Sequence, residues 1–324
     1  MTDETTFRAD DPARFALVTE RYRRELQVHC YRMLANYDDA LDMTQETFLR
    51  AWHKRESFRG DAAPRTWLYR IATNVCLDFL DRRTHRVPVP AGLPGAGSEL
   101  HYLQPYPDVA LPADPQESAV ARETIELAFV VAVQHLPPRQ RAVFILRDVL
   151  GWPASPTAGT LGLTVASVTS ALQRARVTVR EQLPGRRLDW RRPATYELSD
   201  DERAVVTAYI DAHQRNDVDA LTALLRDDLR FTMLPDPGTV SVTARDAVDG
   251  WVANGLFRPG HDDWRGAVTT VNRMPAAGLY LRAPGDAEFR LFAVAVLRVV
   301  DGTIAELTGF DAGDKPWLAL PPTW

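Results

Sequence analysis

Apolar residues recur every three or four positions through the first quarter of the chain. Leu68, Ile71, Ala72, Val75 and Phe79 are typical, and glycines are few between residues 12 and 84. That period marks amphipathic helices, so an all-α domain is predicted over 12–84. The pattern then breaks. Residues 85–116 are dense in Pro and Gly, which cannot continue a helix, and read as a linker. Helical spacing resumes over 117–184 and gives way to a second, basic linker over 185–198. From residue 199 to 324 the pattern changes kind. Ser199 precedes Asp200, Asp201 and Glu202, a capped helix start with acids in its first turn, and a shorter helix is predicted over Val218–Leu225. Alternating or β-branched runs at 229–234, 267–271, 279–282, 289–299 and 304–310 predict strands. The expected architecture is two all-α domains followed by an α+β domain, without internal repeats.

Three helical stretches carry candidate chemistry. In ALDMTQETFLRAW, residues 40–52, helical spacing puts Leu41, Thr44, Phe48 and Trp52 on one side. Asp42, Gln45, Glu46 and His53 fall on another, and a row of acids and amides suits a basic protein partner. The second stretch, FRGDAAPRTWLYRIATNVCLDFLDRR (58–83), leads from a Gly/Pro loop into a helix. Its Thr66, Arg70 and Asn74 face away from the apolar stripe, with Trp67 and Tyr69 near the start. Basic and amide groups beside aromatics hold phosphates and stack on unpaired bases, although Trp67 fits a core role as well.

The third stretch has the spacing of a helix-turn-helix. LPPRQRAVFILRDVLG (136–151) predicts a helix with Arg139 and Arg141 in its first turns, and Ala158 and Gly162 precede Val168 and Leu172. Thr164 is placed to cap a second helix that buries Val165, Val168, Leu172, Ala175 and Val179. Its other side presents Thr169, Ser170, Gln173 and Arg174, groups that read base edges and grip phosphates. Pro153 and Pro156 fall where the supporting helix begins. With Ser155 as N-cap, Pro156 takes the first helical position, where a missing N–H costs nothing, so that helix is expected to be shortened and not abolished.

Charge sharpens this picture. The net charge of −5 hides nineteen acids against twelve Arg and Lys over 199–324, which leaves about +2 for residues 1–198. Residues 138–192 hold ten Arg against three acids, a local stripe that matches a polyanion. The 45% hydrophobic and 25% charged composition excludes fibrous and disordered classes. No apolar run approaches the ~20 residues that span a bilayer. The opening MTDETTFRADD lacks a signal-peptide layout, so a cytoplasmic protein without membrane contact is expected. Cys30 and Cys76 lie outside any metal-ligand spacing and read as reduced core thiols, and no metal or cofactor is expected.

In their order, these blocks resemble the extracytoplasmic-function group of bacterial sigma-70 family RNA polymerase sigma factors over residues 12–184. The resemblance implies that DDALDMTQETFLRAW docks on core RNA polymerase through Asp42, Gln45 and Glu46. It implies that FRGDAAPRTWLYRIATNVCLDFL captures the minus-10 promoter element. Asp61, Ala62, Ala63 and Pro64 would form the loop that holds a flipped base, and Arg70 and Asn74 would lie beside the duplex edge. Thr169, Ser170, Gln173 and Arg174 would read promoter DNA at the minus-35 element. HYLQPYPD (101–108) would belong to the long linker of this subgroup. Related chains usually carry a longer, more acidic first helix where GWPASPTAG stands, which weakens the minus-35 contact expected here.

The tail is similar to the SnoaL-like, nuclear-transport-factor-like domains fused to some members, on YIDAHQRNDVDALTALLRDDLRFTMLP, NRMPAAGLYL and IAELTGFD. That likeness implies a cone of sheet around a pocket lined by Phe231, Met233, Trp251, Trp264, Tyr280 and Phe292. Such a domain would take a small-molecule ligand or a regulatory protein and modulate the helical part. His213, His261, Asp262 and Asp311 are the tail's candidate acid–base groups, but none is paired at a catalytic spacing and no enzyme activity is expected. A stand-alone helix-turn-helix regulator with a ligand-sensing tail is the alternative, and it needs no contact through Asp42 or Glu46.

Overall fold

The computed structural model describes residues 12–58, 63–84, 103–111, 125–183, 196–234, 240–253, 256–257, 263–311 and 320–324. The chain divides into two compact units, Met1–Ala91 with Ala110–Thr195, and Gly92–Val109 with Tyr196–Trp324.

The first unit is helical among its described residues. It opens with α1 (Pro12–Arg21), α2 (Arg23–Leu34), α3 (Tyr37–His53) and α4 (Pro64–Thr84). Ala35 ends α2 in the left-handed region at φ 57, with its N–H on Tyr31 O, and the chain reverses at once into Asn36, whose side chain accepts from Asp39 N–H and caps α3. On α3 the buried stripe is Ala40, Thr44, Thr47 and Ala51, while Leu41, Phe48 and Trp52 are only half-buried. Small residues let α3 approach α2 and α4 closely, and the Thr44 and Thr47 hydroxyls donate back to the Ala40 and Met43 carbonyls. Tyr69, expected among base-stacking groups, is fully buried between His29 and Trp152.

Four further helices follow among the described residues of this unit: α5 (Leu127–Gln134), α6 (Pro138–Phe144), α7 (Ala154–Leu161) and α8 (Val165–Gln182), with a π-helical turn over Ile145–Val149. The sequence LAFVVAVQ is apolar almost all round, and all but Ala128 and Val131, which are half-buried, lie inside the unit. Its C-terminal carbonyls and those of α2 end inside the protein, where they need donors. Arg141, fully buried, supplies them. Its guanidinium donates to Met33 O on α2, to Val133 O and Gln134 O on α5, and to Leu136 O beyond. Gln134 adds a bond to Arg32 O. Arg141 was counted in a basic stripe facing a polyanion, but the helix ends claim it.

The second unit carries α9 (Asp200–Gln214), α10 (Val218–Leu224) and α11 (Ala244–Ala253) with six strands: β1 (Leu225–Leu234), β2 (Val240–Val242), β3 (Asp263–Val271), β4 (Met274–Arg282), β5 (Arg290–Val300) and β6 (Thr303–Asp311). Their order is β2-β1-β6-β5-β4-β3, with β1 parallel to β6 and the other pairs antiparallel. Ser199 and Glu202 form a full capping box on α9. Gly266 lets α9 lie close on β3, since a Cβ there would come within 2.6 Å of Ile210 Cγ2. The α+β expectation holds, with the short β2 added and α11 as the helix that interrupts the strands.

His29 gives the first unit a pH dependence. The Thr73 hydroxyl donates to Tyr69 O, so it accepts from His29 Nε2–H at 2.9 Å and the ring is neutral. Burial first, then the Arg32 and Arg65 charges, lower its pKa to about 3. The unfolded ring protonates near 6.5, so this stability is full above that pH and is lost as pH falls toward 3. Denaturant unfolding at stepped pH should show His29→Gln removing up to about 1.4 kcal/mol per pH unit of the slope between pH 6 and 4. Arg141→Met should lower stability by at least about 3 kcal/mol, because several buried carbonyls lose their donor, whereas exposed Arg139→Met should change it by less than about 0.5 kcal/mol. Equal unfolding midpoints for the two variants would contradict this account of the helix ends.

Candidate nucleic-acid interface

The helix-turn-helix is built by α7 and α8. Helix α7 starts at Ala154 with Pro153 as N-cap, two residues earlier than expected, so Ser155 is inside the helix and Pro156 is its third residue. The prolines still cost no hydrogen bond there. The first intrahelical bond runs from Thr157 N–H to Pro153 O, and no N–H before it has an intrahelical acceptor. Gly162 ends α7 at φ 63, a left-handed cap, and the Thr164 hydroxyl accepts from Ser167 N–H to start α8.

Helix α8 is two-sided. Val168, Ala171, Leu172, Ala175 and Val179 are buried, while Thr169, Ser170, Gln173 and Arg174 are all exposed along one face. Val165, expected in the core, is 48% exposed, because it is the first residue of α8 and precedes the turn that meets α6. A bond invisible to local sequence patterns ties the roll of this helix to its support. Arg176 donates twice to Asp148, both at 2.7 Å, tying α8 to the π-helical turn 28 residues earlier. Arg147 donates to Trp152 O at the entry of α7. Of the arginines described between 138 and 183, Arg139, Arg174 and Arg180 are exposed and carry no such internal tie in this motif.

On α3, Asp42 and Gln45 are exposed on the same side, and Glu46 is half-buried, accepting from Arg50 at 2.7 Å. Arg50 also reaches Asp78 on α4, which fixes the two helices against each other. Arg70 is exposed and Asn74 half-buried one turn later on α4. Ala63 is exposed and Pro64 half-buried at the helix start, and Asp61 and Ala62 lie outside the described residues. Trp67 is half-buried against Phe58, ring centres 5.2 Å apart.

Five of the six tail residues expected to line a pocket have described side chains, and these divide between the two faces of the sheet. Phe231 meets Trp251 at 5.5 Å and Trp264 meets Phe292 at 5.5 Å, joined through Phe257. Phe292 reaches this group because it is the bulged residue of β5, skipped between Leu291 opposite Tyr280 and Ala293 opposite Leu279. Tyr280 lies on the other face against Trp324, at 5.3 Å. Met233 pairs with Gly309 in the β1–β6 register, and its side chain lies outside the described residues. Of the candidate acid–base groups, His213 is buried, Asp311 is exposed, and His261 and Asp262 fall outside the described residues. Among the described residues no group of three His, Cys, Asp or Glu could hold a metal ion. No described helix is long and apolar enough to cross a membrane.

Tyr106, in the segment read as a linker, is fully buried on the β3–β4 hairpin of the second unit. Tyr106 N–H donates to Asn272 Oδ1 at 2.7 Å, and Asn272 N–H returns a bond to Tyr106 O at 2.8 Å. Arg273 N–H donates to Asp108 Oδ1 at 2.9 Å, and Pro107 bridges to Val271. Asn272 and Arg273 both sit at φ 54, the two-residue turn that presents these groups outward.

Residues 18–86 match the model of sigma-70 region 2 and residues 126–179 that of sigma-70 region 4. The chain is 38% identical over 319 residues to the ECF RNA polymerase sigma factor SigG of Mycobacterium tuberculosis, covering 95% of this chain and 84% of that protein. It is 31% identical over 173 residues to ECF RNA polymerase sigma factor SigW of Bacillus subtilis, covering 53% of this chain and 90% of that one. The fold is similar to the crystal structure of the M. tuberculosis extracytoplasmic function sigma factor SigJ, with TM-score 0.58 and 24% identity over 92% of this chain and 96% of that chain.

The placement of Pro156 yields a test. Pro156→Glu puts a carboxylate in the first turn of α7, so thermal unfolding should show a gain of about 0.3–1 kcal/mol. A loss of more than about 1 kcal/mol would mean that the proline itself holds the helix start.

Proposed function

Because the chain belongs to the extracytoplasmic-function RNA polymerase sigma factors, we propose that it binds core RNA polymerase through α3 and reads promoters through α4 and α8. The observation that carries this reading is the two-sided helix α8. Its apolar side is locked to the domain and its Arg176 is spent on Asp148, so Thr169, Ser170, Gln173 and Arg174 are left as a rigid polar face of major-groove size. Asp42, Gln45 and Glu46 form the polymerase contact, and Ala63, Pro64, Arg70 and Asn74, with Asp61 and Ala62, form the minus-10 contact.

Control belongs to the tail in this reading. The bonds from Tyr106 and Asp108 to the β3–β4 turn give the second unit a direct hold on the segment between the two sigma regions. Release or tightening of that hold changes how far apart the regions move when they engage polymerase and DNA. The tail therefore modulates initiation without chemistry of its own.

Chromatin mapping of the tagged protein with core polymerase should identify promoters sharing a two-box motif. At those promoters, Asp42→Ala with Glu46→Ala should reduce run-off transcription with core enzyme at least about tenfold, each lost charge-assisted contact weakening binding by about 1.5–3 kcal/mol. Unchanged output from that double variant favours a stand-alone regulator. Tyr106→Ala with Asp108→Ala should shift output at least about twofold without altering the far-UV spectrum, since it removes the buried Tyr106 ring, worth about 1.5–3 kcal/mol, and the Asp108 side-chain bond, worth about 0.5–1.5 kcal/mol. No shift would remove the linker from the control mechanism.

A further inference from the structure

Helix α8 carries an apolar residue that the core does not use. Val165, its first residue, is 48% exposed, although helical spacing predicts it buried. Burial therefore does not account for a valine there, and propensity does not either, because a β-branched side chain is a poorer helix former than alanine. The exposed surface around it is short of donors. The Thr164 and Ser167 hydroxyls lie 2.8 Å apart and share one hydrogen bond, and Thr164 Oγ1 also accepts from Ser167 N–H at 3.1 Å. Thr169, one turn after Val165, donates its hydroxyl proton to Val165 O at 3.0 Å. That proton is spent inside the helix, and a methyl and oxygen lone pairs are what Thr169 has left for a neighbour.

Residues three and four apart are neighbours on a helix surface, so positions 165, 166 and 169 form one patch. Ala166, like Val165 and Thr169, is exposed. The leading end of α8 thus offers methyl groups, and the donors of Gln173 and Arg174 come further along. In a helix-turn-helix the leading residues of the second helix reach the base edges. The major groove displays one apolar group there, the C5-methyl of thymine. Val177, exposed at 53%, stands about 18 Å further along the axis and is too distant to share that contact.

We propose that Val165, with the methyl of Thr169, recognises the C5-methyl of one thymine in the minus-35 element and makes an A·T pair preferred at that position. This rests on the reading that α8 enters the major groove, and it adds to the four polar readers a residue and a chemical group that they do not cover. Because the contact buries a methyl and neutralises no phosphate, it is insensitive to salt, unlike the contacts of the arginines.

The full-length protein, bound to core RNA polymerase, is titrated with a duplex promoter from the mapped sites in which each thymine of the minus-35 box, on either strand, is replaced in turn by deoxyuridine. That replacement removes the methyl alone. Binding should weaken about 3- to 5-fold at one thymine, the worth of one buried methyl, and the ratio should persist when salt is raised. Val165→Ala should at least halve that ratio, and Val165→Ala with Thr169→Ser should abolish it. Val177→Ala should keep the wild-type ratio, and thermal midpoints report that the variants are folded. A scrambled minus-35 box and Arg174→Ala test the underlying reading: if neither weakens binding, α8 is not in the groove and the methyl contact falls with it. If either weakens binding while no thymine differs from deoxyuridine, or while the ratio survives Val165→Ala, the reading stands and the methyl contact is overturned.

Discussion

The first unit depends on a single buried guanidinium. Two helices, α2 and α5, end inside the protein, and their last carbonyls face no water. A side chain able to satisfy them must carry several donors in fixed geometry, and Arg141 reaches four carbonyls at once. Because Arg141 stands in α6, this also places the start of the region 4 helices against α2 of region 2. The Tyr69–Trp152 ring contact and the bond from Gln134 to Arg32 O extend the same junction. Region 4 is therefore positioned by where α2 of region 2 stops, a long-range consequence of a rule about helix ends.

From that base the reading helix is set by short-range chemistry. A left-handed glycine closes α7 and a threonine cap opens α8, so the turn between them has one conformation. The Asp148–Arg176 fork then fixes the roll of α8 on its support. Arginines in this part of the chain divide their labour. Arg141, Arg147 and Arg176 are committed to carbonyls or a carboxylate, and Arg139, Arg174 and Arg180 face outward. A basic stripe counted along the sequence thus overstates the charge offered to DNA, since three of its six described arginines are architecture.

In the second unit the sheet separates two environments. One face packs on α9, α10 and α11 and collects the aromatic cluster, and the other carries Tyr280, Leu320 and Trp324, with the 322–324 segment bonded along the start of β5. A single bulge decides that Phe292 joins the first group. The hairpin turn at Asn272 and Arg273 holds the linker through backbone groups and two short side chains, Asn272 and Asp108. Backbone bonding of that kind needs little sequence complexity, which is why an apparently unstructured Pro-rich segment can be a specific partner.

Local order was legible in the sequence by itself. Helical spacing, the Ser199 and Thr164 caps, the Gly162 turn, the polar face of α8 and the strand runs from 229 onward follow from rules that act within a few residues, and the order of the blocks pointed to the family. Tertiary structure decided what depends on distant partners. It chose small residues over Phe48 and Trp52 for the buried stripe of α3, drew Tyr69 and Arg141 inside, left Val165 outside, and moved the start of α7 ahead of Pro156. It also docked Tyr106 on a turn 166 residues away and sent Tyr280 to the opposite face from Trp264. Periodicity reports which residues share a side of an element, but only packing tells which neighbour that side meets, and a buried donor goes wherever orphaned carbonyls happen to converge.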